Sequence, residues 1–204
     1  MARSRNLRAR RRLPRPNRGI SLVEALVATT ITVMAGAAVL LAIGSALQTS
    51  NLALEQSIAD GLAQSLIDEV AGTRYAGVGA GPRQWPLGPA AGEGPDRDSL
   101  DDIDDFARYG AQPPVDRWGV TLGQGNESGG RRHPEFRAPE TFFDHWRREI
   151  DIYYVDDNDL SQPLAAGVTS NHRAIEVRVL MVDPNGSTRE LSRLRRVFSY
   201  VPEP

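Results

Sequence analysis

Cysteine is absent from this chain, and so is lysine. Without cysteine there can be no disulfide, no Cys–His catalytic pair and no thiolate metal site, and the redox state of the compartment is neither supported nor opposed. Without lysine, every one of the 24 basic residues is an arginine, a trait of GC-rich coding that says nothing about mechanism. Acid is missing before Gly19, charge is missing from Ala25 to Leu47, and proline is missing from Ile20 to Ala71. No internal repeat is evident, which removes solenoid and array architectures.

What is present is distributed unevenly. Arg3, Arg5, Arg8, Arg10, Arg11, Arg12, Arg15 and Arg18 all precede Gly19. Removing those eight leaves sixteen arginines against 26 acids, a net charge of −10 after Gly19, so the overall −2 is the sum of two unlike pieces. A basic N-terminus suits a nucleic-acid arm, a transit peptide or a cytoplasmic anchor. The uncharged run that follows decides for the anchor. At 1.5 Å per residue it is long enough to cross a hydrocarbon core of roughly 30 Å. The flanking positive charge sets the N-terminus in the cytoplasm and the remainder across the membrane, in the periplasm. A secretory signal cut near Ala35-Gly36-Ala37 is the competing reading, but the apolar run continues well past that point.

After Leu47 the pattern turns amphipathic. Leu54, Ile58, Leu62, Leu66 and Val70 recur every four residues, Leu52 and Ile67 widen the stripe, and Gln56, Asp60, Gln64, Asp68 and Glu69 occupy other faces. That period predicts a helix lying on a folded body, with Gly72 as its stop. One helix from Ile20 to Ala71 would measure roughly 75–80 Å; two helices broken near Gly44-Ser45 or Ser50-Asn51 are the alternative. The parts are therefore a leader (1–19), a membrane half of the helix (20–47), an amphipathic half (48–72) and a periplasmic α+β domain (73–204). Gly/Pro-rich stretches at 76–100 and 119–141 read as surface loops. Strands are predicted at Arg147–Val155, Ala174–Val182 and Ser187–Val201, the last two joined by the turn Asp183-Pro184-Asn185-Gly186. The fold class is α+β: a long N-terminal helix, half transmembrane, packed on a small antiparallel sheet.

Arg18-Gly19-Ile20-Ser21-Leu22-Val23-Glu24 carries the sharpest signal. A lone carboxylate at the edge of a spanning helix costs a few kcal/mol in lipid and is a functional candidate by default. Gly19, before the helix, suits close approach of a peptidase to the backbone. The segment resembles the prepilin cleavage and methylation motif of type IV pilin-like proteins, with Ile20 where phenylalanine is commoner and Ser21, Leu22, Val23 and Glu24 in pattern. Leu62-Ala63-Gln64-Ser65-Leu66-Ile67-Asp68-Glu69-Val70 is similar to the helix of minor pilins and type II secretion pseudopilins. The resemblance spans residues 8–72 and is only architectural beyond.

That resemblance implies a structural subunit rather than an enzyme. Prepilin peptidase would cut after Gly19, Ile20 would become the N-methylated terminus, and Glu24 would pair with that amine on a neighbouring subunit. Expected partners are the peptidase, other pilin or pseudopilin subunits, the inner-membrane assembly platform and membrane lipid. The expected location is the inner membrane, single-pass, and then a filament. The missing mid-helix proline (Val33–Leu41) and missing disulfide favour a minor pilin or pseudopilin over a major subunit. A plain signal anchor carrying a periplasmic enzyme or metal-binding domain remains the alternative.

Weaker signals lie further on. Asp101, Asp102, Asp104 and Asp105 offer hard oxygen ligands for Ca²⁺, although the spacing lacks the glycine and terminal glutamate of an EF-hand loop. A solvated acidic loop is the plainer reading, and no cofactor is otherwise expected. Asp156, Asp157 and Asp159 form a second cluster. His133, His145 and His172 look isolated, and no Ser-His-Asp set can be built from spacing alone. Trp85, Trp118 and Trp146 read as packing residues. Arg193, Arg195 and Arg196 read as the solvent face of the last strand, so nucleic acid is not an expected partner.

Overall fold

The computed structural model describes residues 19–90, 93, 97–126 and 128–202. The basic leader up to Arg18 lies outside the described residues. The chain divides at Ser50 into two units. Helix α1, Leu22–Ala71, is continuous in backbone hydrogen bonding, with no break at Gly44-Ser45 or Ser50-Asn51. No proline interrupts it.

In the first unit every residue from Ile20 to Ser50 is exposed. Among the described residues, α1 is the one helix long and apolar enough to cross a membrane. Its hydroxyls are locally satisfied: Thr30 donates to the Leu26 carbonyl at 2.8 Å, Thr32 to Ala28 at 2.8 Å, and Thr49 to Ser45 at 3.0 Å. Threonines in an apolar run thus present methyls outward and return their O–H groups to the helix, which removes the cost of an unpaired donor.

The second unit holds the sheet. Strands β1 (Gly110–Ala111), β2 (Trp146–Tyr154), β3 (His172–Val182) and β4 (Thr188–Ser199) run antiparallel in the order β1-β2-β3-β4. The three predicted strands are present within a residue or two at most ends; β1 is too short to carry an alternation signal. The predicted turn closes through Gly186 N–H donating to the Asp183 carbonyl at 2.8 Å, with Gly186 at φ +84°. Positive φ is why glycine stands there.

The core lies between one face of α1 and one face of the sheet. Ala59, Ala63, Leu66, Ile67 and Val70 are buried against Ile150, Ile175, Val177, Val179 and Leu191. This corrects the expected stripe. Leu52 and Leu54 stay exposed, at 49% and 59%, and Ile58 and Leu62 are only half-buried. Ala59 and Ala63 take the central places because a methyl lets the helix backbone approach the sheet closely. Alternation in β2 puts Trp146, Arg148, Ile150, Ile152 and Tyr154 on its buried side, so one arginine enters the core face.

Candidate functional site

Ser21 begins α1. Its hydroxyl accepts from the Glu24 N–H at 3.2 Å, and its carbonyl accepts from the Ala25 N–H at 3.1 Å. Ser21-Leu22-Val23-Glu24 therefore has the spacing of a capping box, a local role the sequence reading did not assign. Glu24 sits in the first turn, where the helix dipole favours negative charge. Its carboxylate has no partner among the described residues and is exposed. A Cβ built on Gly19 would meet nothing within 4 Å. Among the described residues nothing packed there requires glycine.

The four aspartates split into separate tasks. Asp101 pairs with Arg74 at the surface. Asp102 Oδ1 accepts from the backbone N–H groups of Asp104 at 2.9 Å and Asp105 at 3.2 Å, while Asp105 Oδ2 accepts from Asp101 and Asp102. Asp104 is fully buried and binds Arg173 Nη1 at 2.9 Å, with both side chains at 0% exposure. The arginine also donates to the Tyr75 carbonyl and to the Tyr154 hydroxyl, and its guanidinium lies 4.5 and 5.2 Å from those two rings. One buried cation thus ties the end of α1, the acidic turn, β2 and β3 together.

The oxygens that do lie within ligand distance of one another belong to Glu93, Asp101 and Asp105, a different set from the four expected. Asp102 is pushed up to about 7 by burial, by its hydrogen bond to Asp104 and by the charge of Asp104. Asp105 is pushed up to about 6, mainly by burial. A protonated Asp102 can donate to Asp104, whose Oδ2 is otherwise buried without a partner. The turn is a set of reciprocal side-chain to backbone hydrogen bonds held by an arginine.

Arg148 is the second buried cation, and it has no carboxylate. It donates to the Val115 carbonyl at 2.7 Å, with Ser65 Oγ at 3.4 Å and the Leu62 carbonyl at 3.5 Å. Burial first, and the charge of Arg97 second, bring it down to about 10. Its position in β2 gave a signal, since alternation assigns it to the core face, but charge argued the other way.

Three weaker readings change. His172 is not isolated: its Nδ1 lies 2.7 Å from Asp157 Oδ1. Ser170 is close in sequence, yet its hydroxyl donates to the Val155 and His172 carbonyls rather than to the ring, so no triad forms there. Asp156 and Asp159 accept from backbone N–H groups two residues on, as turn residues do. Arg196 does not share a solvent face with Arg193 and Arg195; it reaches α1, with Nη1 3.0 Å from Asp68 and Nη2 3.0 Å from Gln64. Trp146 is buried as expected, whereas Trp85 and Trp118 are about half-exposed.

The fold and the N-terminal segment define a class: an α+β protein with one long apolar N-terminal helix whose far turns pack on a small antiparallel sheet, a layout compatible with a pilin-like fold. Comparison with family models, curated protein sequences and solved structures gives no match to this chain.

Proposed function

We propose that this chain is a prepilin-like structural subunit, a minor pilin or pseudopilin of a type IV pilus or type II secretion-like filament. The observation that carries it is Glu24: the single charge between Ile20 and Leu54, without a partner among the described residues, at the head of an exposed apolar helix. An unpaired carboxylate in lipid is costly, and a partner from another copy removes the cost. Cleavage after Gly19 supplies that partner as the new α-amino group of Ile20, which stays cationic after N-methylation. Pairing amine to carboxylate between neighbours fixes axial register in a bundle of such helices. The open space around Gly19 supports a glycine chosen for a peptidase rather than for packing.

In this reading the leader is cytoplasmic, the helix is anchored in the inner membrane, and the α+β unit is periplasmic. The partners are prepilin peptidase, other pilin-like subunits and an assembly platform. The role is structural and not catalytic. N-terminal sequencing and mass measurement of the mature chain test it: the chain should begin at methylated Ile20. A mature chain that still starts at Met1 ends the proposal. Glu24→Ala should be processed normally yet enter filaments at least tenfold less; ordinary incorporation would refute the pairing.

A further inference from the structure

One loop of the second unit displays an apolar side chain on a rigid base. Phe136 is 70% exposed at the end of the short 3-10 helix Pro134–Phe136. The base is fastened on both sides: Arg132 N–H donates to the Gln124 carbonyl at 2.8 Å, Gln124 Nε2 donates to the Ala138 carbonyl at 2.7 Å, and Ala138 N–H donates to the Gly123 carbonyl at 3.0 Å. Glu135, beside Phe136, is exposed and has no partner among the described residues. The loop therefore offers a phenyl ring and a free carboxylate in a fixed arrangement.

A groove elsewhere in the same unit has the complementary chemistry. Its volume is about 450 Å³, and Trp85, Leu87, Tyr153, Leu164 and Val168 give it apolar walls. Two acids and one arginine stand at its rim. Asp151 is held by Arg178 at 2.7 Å and Glu176 lies 3.3 Å from Arg193, each arginine also serving a second acid, Glu149 and Glu190. Arg108 is exposed and has no partner among the described residues, so its guanidinium is free to meet an incoming carboxylate. It is also the one non-glycine residue at positive φ, +67°, among the described residues. Backbone strain of that kind persists where surroundings impose it and clusters at contact sites.

The groove is lined by Asp151 to Tyr154 of β2, whereas the loop is anchored at the other end of that strand: a Cβ at Gly123 would lie 3.5 Å from Phe143, which packs against Trp146. The near edge of the groove, Asp151, lies five residues along the strand from Trp146, roughly 17 Å, so loop and groove are separate patches of the unit.

We propose that copies of this chain meet head to tail, Phe136 of one entering the groove of the next while its Glu135 faces Arg108. The free carboxylate meets the free guanidinium, and the exposed ring leaves water. Knob and groove occupy different patches of one molecule, so the contact is heterologous and propagates instead of closing on a two-fold axis. This goes beyond the pilin reading and is tested separately from it.

The cysteine-free chain makes the test direct. Full-length copies carrying Pro134→Cys, which keeps the Phe136 ring, are co-expressed in membranes with copies carrying Val168→Cys, then oxidised. A disulfide-linked heterodimer is expected at least tenfold above the background from Pro134→Cys paired with Val201→Cys, an exposed control site. Equal yields overturn the proposal, as does a Val168→Cys chain that links only to a different protein. Glu135→Arg in the first copy should cut the yield several-fold, and Arg108→Glu in the second should restore it; a yield indifferent to both charges rejects the pairing. N-terminal sequencing of the same samples separates the two ideas. Cross-linking in an uncut chain keeps the contact and ends the pilin reading, and a cut chain without cross-links ends the contact alone.

Discussion

The two units of this protein solve opposite problems. From Ile20 to Ser50 apolar side chains are on the outside and one carboxylate stands among them without a partner among the described residues. From Asn51 onward apolar side chains are inside, and three arginines (Arg97, Arg148, Arg173) and three aspartates (Asp102, Asp104, Asp105) are buried with them. In the first unit the surface is apolar enough to suit lipid, and under the proposed function the partner for the charge comes from a neighbouring subunit. In the second, Arg173 and Asp104 supply each other, and Arg148 borrows main-chain carbonyls. Buried charge in the second unit is tolerated because groups of the same chain neutralise or hydrogen-bond it; the first unit shows no such group for Glu24 among the described residues.

The comparison is most exposed to attack at Arg173. Arg173→Met should destabilise the second unit by about 3–5 kcal/mol, because removal of one partner of a buried pair strands the other. Urea denaturation of the detergent-solubilised full chain measures this; a change below about 1 kcal/mol would mean that the buried cation is not what holds the acidic turn. Next in size is a matched pair of leucines. Leu66→Ala, at 0% exposure, should cost about 2–5 kcal/mol in the same assay. Leu40→Ala in the first unit should leave the unfolding midpoint unchanged, since its side chain touches no core. Equal effects would erase the contrast between the units.

The smallest expected effect is on pH dependence. Asp102 and Asp105 hold protons in the folded chain up to about 7 and about 6, whereas an unfolded aspartate releases its proton near 3.8. Folding takes up protons between those values, so the stability of the second unit should decline as pH rises through roughly 4 to 7. The profile of Asp102→Asn should be flatter than that of the parent over this range. A steeper fall in Asp102→Asn than in the parent would reverse the assignment.

Much of the fold could be read from pattern. The helix, the β3–β4 hairpin and the alternation of β2 follow from periods of 3.6 and 2 that burial imposes on sequence. The stripe on α1 was read too early in the chain. Counting large apolar residues brought in Leu52 and Leu54 and passed over Ala59 and Ala63, whose value is closeness to the sheet and not hydrophobicity. Arg148 and Arg173 were missed because charge is ordinarily a sign of exposure, and only a three-dimensional set of acceptors reverses it. His172 and Asp157 are fifteen positions apart, and chain spacing carries no trace of their approach. At the N-terminus the candidate residues Gly19, Ile20 and Glu24 stood out directly, because their pattern is local; the capping role of Ser21 was equally local and was overlooked.

The linear sequence by itself determined what is set by neighbours along the chain: a charge-free apolar helix, a single acid at its head, a glycine before it and a sheet of alternating strands. Tertiary structure alone decided which charges are inside. It gave Asp104 to Arg173, turned Asp102 and Asp105 into reciprocal caps, sent Arg196 to the helix, and left Arg108 and Glu135 without partners among the described residues. The physical reason is that helix and strand periodicities come from short-range geometry, whereas the neutralisation of a buried charge depends on groups that meet only after the chain has closed on itself.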